Sequence, residues 1–255
     1  MRVELCAIAK NEHLYINEWV SHYLKLGFDK ITIYDNDNID SPYIGDFIET
    51  KYKDKVNIIN VRGVHKKAFQ HECYNDFYKH NKFDWVFFCD IDEFLSGIDN
   101  VKDFLKQSQF NRFGQIRVKW LLFGDDNKIT RDTSKNVYGY FKKPILDNRL
   151  SNQGKSFIRG NISLEIHSCH FVENIFSCYP NGVVCSNTDL DLLNYNNQSV
   201  YLFHYMTKTL DEFIKQKLNR GDAVWDKRPI DFGYYWKINK KTKEKIEYIK
   251  SMGLE

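Results

Sequence analysis

Asp90 and Asp92 stand one residue apart at the end of the apolar run Trp85-Val86-Phe87-Phe88-Cys89, with Glu93 and Phe94 directly behind them. A short run of that composition reads as a buried parallel strand, which delivers the residues after it to the carboxyl edge of its sheet. Open α/β sheets bind ligands at that edge. Two carboxylates at i and i+2 point the same way if the chain stays extended, and such a pair suits a hard divalent cation that also takes oxygens from a phosphate. The alternative is ordinary: one aspartate caps the next helix and the other is solvated.

The elements that must position this pair alternate along the first half of the chain. Val3 to Ala9 reads as a strand, and Ile16, Trp19, Val20, Tyr23 and Leu24 fall on one helical face that Gly27 is placed to end. Lys30 to Tyr34 is a second strand, Ile44 to Tyr52 a helix, Val56 to Val61 a third strand, Ala68 to His80 a helix, and Trp85 to Cys89 the fourth strand. This order predicts right-handed crossovers and a mainly parallel sheet whose ligand edge carries Lys10-Asn11-Glu12, Asp35 and Asp90-Ile91-Asp92.

The second half is less regular. Gln115 to Phe123 reads as a strand leading into Gly124-Asp125-Asp126-Asn127, with further strand-like pieces at Val137 to Phe141, Lys155 to Arg159, Ser163 to Val172 and Val200 to Tyr205. Lys155 and Arg159 share one face of their strand. Leu210, Phe213, Ile214 and Leu218 make a helix face, with Thr207 or Thr209 as N-cap and Gly221 as the stop. From Lys237 the chain is lysine-rich, with Ile246 and Ile249 three apart, which fits a solvated surface helix or a patch for anionic lipid.

Composition bounds the function classes. The chain has 255 residues, 16% of them aromatic, and a formal charge of +3. That length supports one elaborated domain with a full core. The mild charge is far from the footprint of a nucleic-acid binder. Six scattered cysteines and an N-terminus without signal-peptide character predict reduced thiols and a cytoplasmic setting. His167, Cys169, His170, Cys178 and Cys185 bring zinc-type ligands together, but no C-x2-C pairing is present. No apolar stretch reaches the roughly 20 residues that span a bilayer, so membrane contact would be peripheral.

Taken together and in order, Ile8-Ala9-Lys10-Asn11-Glu12, Ile33-Tyr34-Asp35-Asn36, Gln70, Asp90-Ile91-Asp92-Glu93-Phe94, Trp120-Leu121-Leu122-Phe123-Gly124 and His204-Tyr205-Met206-Thr207-Lys208 resemble bacterial glycosyltransferases of the family-two-like type, beside family ninety-two. The resemblance covers roughly residues 2 to 221 and implies the α/β GT-A fold, with residues 1–236 one domain (1–95 nucleotide-binding, 96–236 acceptor-binding) and 237–255 a basic tail. It implies Mn2+ or Mg2+ held by Asp90, Asp92 and His204. It also implies a nucleotide-sugar donor, a uridine diphosphate sugar above others, held by Ala9, Asn11, Glu12, Asp35, Asp90 and Lys208. Transfer would run to a saccharide or glycolipid acceptor during surface glycan assembly.

A divalent cation would offset the charge that develops on a diphosphate leaving group. Lys208, Lys217 and Arg220 could add positive charge beside it. An inverting displacement also needs a proton acceptor. Asp125 and Asp126 sit directly after a strand, although small polar residues are the commoner pattern there in the family; Glu93 and Asp222 are the alternatives. Two rival functions share the Asp-x-Asp. A haloacid-dehalogenase-type phosphohydrolase would want Thr or Val where Phe94 stands and would carry the motif on its first strand. A catalytically silent sugar- or nucleotide-binding module would have lost the metal ligands.

Overall fold

The computed structural model describes residues 1–146, 153–185, 199–218, 220 and 230–254. The parallel strands are β1 (Val3–Ala9), β2 (Lys30–Asp35), β3 (Val56–Asn60) and β4 (Trp85–Phe88), interleaved with α1 (Ile16–Lys25) and α2 (Phe69–His80). Then come β5 (Glu93–Ser96), α3 (Val101–Leu105), β6 (Gln115–Phe123), β7 (Pro144–Ile145), β8 (Gly154–Arg159), β9 (Ser177–Cys178) and β10 (Tyr201–His204). Helices α4 (Leu210–Gln216), α5 (Phe232–Trp236) and α6 (Lys243–Ser251) close the chain. The α/β class expected from the sequence is what the chain adopts.

Among the described residues one sheet runs in the order β3-β2-β1-β4-β8-β6-β10-β5, with β7 and β9 also paired to β6. The first four strands are mutually parallel, and β8 joins them antiparallel, pairing with β4 on one side and β6 on the other. Their apolar runs explain the burial: β1 and β4 are covered on both faces and carry almost nothing exposed. Phe87 stacks on Phe157 at 4.3 Å, so the two halves share one core rather than abutting. Helix α1 buries Ile16, Trp19, Val20 and Tyr23 and stops before Gly27, whose φ of 91° only glycine adopts freely.

Three expected elements take other forms, for related reasons. Ile44 to Tyr52 forms two separate 3-10 turns, Ile44–Phe47 and Thr50–Tyr52, because the Glu49 N–H between them donates to Asn17 Oδ1 at 2.8 Å instead of continuing a helix. Residues 137 to 141 form turns rather than a strand, since the N–H groups of Val137 and Tyr138 donate to the Glu18 carboxylate at 2.7 and 2.6 Å. Residues 163 to 172 are irregular: the Ile166 N–H donates to Asn75 Oδ1 and the Val172 N–H to Gln115 Oε1, so side-chain oxygens replace a strand partner.

Helix α4 starts in a capping box, with Thr209 and Glu212 exchanging bonds. Both residues are buried, so the cap also satisfies groups with no access to water. Thr209→Ala is expected to cost about 1 kcal/mol, read as a lower urea midpoint at unchanged slope; Gly221, the expected stop, lies outside the described residues. The lysine-rich C-terminal stretch is not wholly solvated: Ile249 of α6 joins Leu210, Phe213 and Tyr235 in a small cluster, and Lys245 is buried.

Candidate functional site

A cleft of about 350 Å3 opens at the carboxyl edge of the parallel strands, lined among others by Ala9, Glu12, Asn36, Asp90, Asp92 and His204. The loop that carries the two aspartates is clamped from behind. Trp19 Nε1 of α1 donates to the carbonyls of Asp90 and Glu93 at 3.0 and 3.1 Å, and the Tyr23 hydroxyl donates to Glu93 O at 3.1 Å. Glu93, fully buried, accepts the Asp90 N–H at 2.9 Å and the Trp120 indole N–H at 2.7 Å. Burial raises the Glu93 pKa well above the carboxylate range, and the charge of Lys155 offsets only part of that rise. Glu93 therefore shapes the loop and does not face the cleft.

Each aspartate is held by cations. Asp90 accepts from Gln70 Nε2 at 2.8 Å, and Lys155 Nζ lies 2.8 Å from its other oxygen. Lys217 Nζ donates to Asp92 Oδ2 at 2.5 Å, Lys208 Nζ stands 4.0 Å from the same atom, and His204 Nε2 is 3.5 Å from Oδ1. Burial would raise both aspartate pKa values; Lys155 draws that of Asp90 below its usual range, and Lys217 with His204 draws that of Asp92 further down. Both are carboxylates at neutral pH. The His204 pKa is lowered by burial against the pull of Asp92, so the ring stays neutral there, and its Nδ1 is buried without a partner among the described residues.

Asp90, Asp92 and His204, the three residues the resemblance gave as ligands for Mn2+ or Mg2+, all line one cleft, but they do not present a seat for that ion as they stand. Both oxygens of Asp90 and one of Asp92 are engaged, two of the three by ammonium groups. Among the described residues no set of three His, Cys, Asp or Glu side chains is grouped to hold a metal.

The expected donor residues divide. Ala9 and Glu12 line the cleft; Glu12 accepts from Arg220 Nη1 at 3.0 Å and lies 3.9 Å from Lys208 Nζ. Asn11 does not line it, because its amide donates to Gln216 O at 3.0 Å and so ties the end of β1 to α4. Asp35 is fully buried behind Asn36, 3.9 Å from Arg62 Nε, and Asn36 is the residue that faces the opening. Lys208 is buried over the Tyr15 ring at 4.1 Å. Lys217 and Arg220 do line the cleft. Lys155 reaches Asp90, whereas Arg159 is taken up by the Trp85 ring and the carbonyls of Phe110 and Phe113.

Neither Asp125 nor Asp126 lines the cleft. The Asp125 carboxylate is buried, accepting from the Tyr235 hydroxyl, Lys245 Nζ and the Asn127 N–H, while its own N–H donates to Asn239 Oδ1. Asp126 accepts the Lys142 N–H at 2.7 Å and pairs with Lys128 at 3.5 Å. Both fasten the loop after β6 to its neighbours. Asp222 lies outside the described residues.

Sequence reasoning weighed His170 only as a zinc ligand, yet it lines the cleft. Its Nδ1 is 3.0 Å from Gly154 O, and a carbonyl only accepts, so the neutral ring carries its proton on Nδ1 and offers Nε2 as an acceptor. Burial, helped by the charge of Lys155, lowers the His170 pKa to about 4. No described residue donates to Nε2.

No family model and no curated protein matches the chain. Solved structures with partial likeness include S. aureus TarS 1-349 in complex with UDP-GlcNAc, at 17% identity over 62% of this chain and 45% of that one, TM-score 0.40. A second is the mannosyltransferase PcManGT from Pyrobaculum calidifontis in complex with GDP-Man and Mn2+, at 13% identity over 62% of this chain and 44% of that one, TM-score 0.37. HddC from Yersinia pseudotuberculosis is 11% identical over 71% of this chain and 94% of that one, TM-score 0.40. The chain spans less than half the length of the TarS and PcManGT chains it resembles.

Proposed function

We propose that this chain is a glycosyltransferase of GT-A type that moves a hexose from a uridine diphosphate sugar to a saccharide hydroxyl, with inversion, in assembly of a bacterial surface glycan. The observation that carries the proposal is the cleft itself: Asp90-x-Asp92 at the end of a buried parallel strand, facing a lining rich in Lys and Arg. Lys10, Lys66, Lys217, Arg220 and Lys237 all border it, a charge complement suited to a diphosphate. The hexose, the uridine base, the inverting course and the pathway rest on the ordered motif set rather than on the geometry.

In such a transfer the acceptor oxygen attacks the anomeric carbon while its proton leaves to a base and the nucleoside diphosphate departs. We assign that proton to His170, a neutral imidazole that lines the cleft, since Asp125 and Asp126 are committed elsewhere. The departing diphosphate's charge falls to the cationic lining.

Uridine diphosphate at about 100 times its Kd is expected to stabilise the fold by about 2.7 kcal/mol, a rise in Tm of several degrees. Differential scanning fluorimetry against a panel of nucleoside diphosphates checks this. A larger rise with guanosine or cytidine diphosphate overturns the uridine assignment, and no rise with any of them overturns the glycosyltransferase proposal.

A further inference from the structure

Three carboxylates and four cations from distant parts of the chain meet behind and along the cleft wall. Asp90 pairs with Lys155, Asp92 with Lys217 and more distantly Lys208, and Glu12 with Arg220 and Lys208. The cations outnumber the carboxylates by one, and Lys10 adds to the same lining. A dication arriving here would meet a site already in cationic excess. A diphosphate anion would relieve that excess.

Two of these cations, Lys217 and Arg220, line the cleft and have hydrogen-bonding capacity to spare. An ammonium has three N–H donors. Lys217 spends two of them, on Asp92 Oδ2 at 2.5 Å and Met206 O at 2.6 Å. Arg220 uses Nη1 for Lys10 O at 2.6 Å and Glu12 Oε1 at 3.0 Å, while its Nε and Nη2 have no partner among the described residues. Both side chains line the cleft. Their carboxylate partners fix them at the rim, so little side-chain freedom is left to lose when a ligand binds.

Resting on the glycosyltransferase proposal, we infer that Lys217 and Arg220 bind the donor's diphosphate directly and do there what a divalent cation would otherwise do, with Asp92 and Glu12 acting as positioning residues for them. The Asp-x-Asp pair of this chain orients ammonium groups. Donor binding is accordingly independent of Mn2+ and Mg2+.

Isothermal titration of uridine diphosphate into the full chain, once in EDTA and once in excess Mn2+, tests this. The expected result is a Kd in EDTA within about threefold of that in Mn2+. Lys217→Met and Arg220→Met should each weaken binding by about tenfold or more in EDTA, since a hydrogen bond to a charged group is typically worth that much. Circular dichroism confirms that each variant is folded; should either fail, the wild-type comparison decides alone. Binding that appears only with Mn2+ or Mg2+ overturns the inference and leaves the donor proposal intact. Unchanged affinity in both folded variants overturns it as well. No binding of uridine, guanosine or cytidine diphosphate under either condition removes the glycosyltransferase proposal itself.

Discussion

Asp125→Ala is expected to lower the unfolding free energy by about 3–5 kcal/mol, because it strands the Lys245 ammonium in a buried setting with its carboxylate partner gone. For a chain of this size that is a fall in Tm on the order of 10 °C. The Tyr235 hydroxyl loses its acceptor at the same time, and the loop after β6 loses its bond to α5 and α6. Below its melting range the variant should still respond to uridine diphosphate, because Asp125 is absent from the cleft lining. Thermal melts with and without nucleotide make the measurement. A variant with wild-type Tm and abolished turnover would return Asp125 to the role of catalytic base.

His170→Gln should cut turnover by roughly 100-fold or more at nearly constant donor KM, since general-base assistance is worth about 10²–10⁴ and acts in the transition state. Glutamine can still donate to Gly154 O, which separates basicity from ring anchoring. The wild-type pH profile carries a second signature. Burial depresses the His170 pKa to about 4, so Nε2 is unprotonated throughout the neutral range and the base form disappears only as pH falls toward that value. The acid limb of kcat should therefore lie well below the 6.5 of an ordinary imidazole. A limb near that ordinary value, or full turnover in the glutamine variant, refutes the assignment.

How much of this was legible in the sequence depended on where the backbone found its hydrogen bonds. Strands β1 to β4 pair with one another in a regular ladder, and their apolar runs announce them almost to the residue. The same regularity put Asp90 and Asp92 at the sheet edge, where the structure has them. Val137 to Phe141 and Ser163 to Val172 showed similar apolar spacing, but their N–H groups are taken by Glu18, Asn75 and Gln115, residues far away in the chain. Periodicity cannot report such partners.

The same limit governs the site. Gly124-Asp125-Asp126-Asn127 has the look of a catalytic loop because it comes after a strand, and only Tyr235 and Lys245, more than a hundred residues on, reveal it as a fastening. Lys155 and Lys217 read as one face of a strand and one face of a helix; that each ends on a different aspartate of the same pair is a product of topology alone. His170 sits in a segment whose apolar spacing pointed to a strand, and that spacing carries no signal of the cleft His170 lines or of its bond to Gly154.

The contacts that build the cleft wall join the start of the chain to the segment from Glu212 to Arg220. Arg220 and Glu12 are 208 positions apart, Asn11 and Gln216 are 205 apart, and Tyr15 bonds to Glu212 across 197. Contacts of such sequence separation carry a loop-closure cost that local contacts do not. This wall of the cleft is thus complete only when both ends of those long spans are in place. A polypeptide still emerging from synthesis, with α4 not yet released, has the Asp-x-Asp strand but neither Lys217 nor Arg220, and so lacks the cationic wall of its cleft.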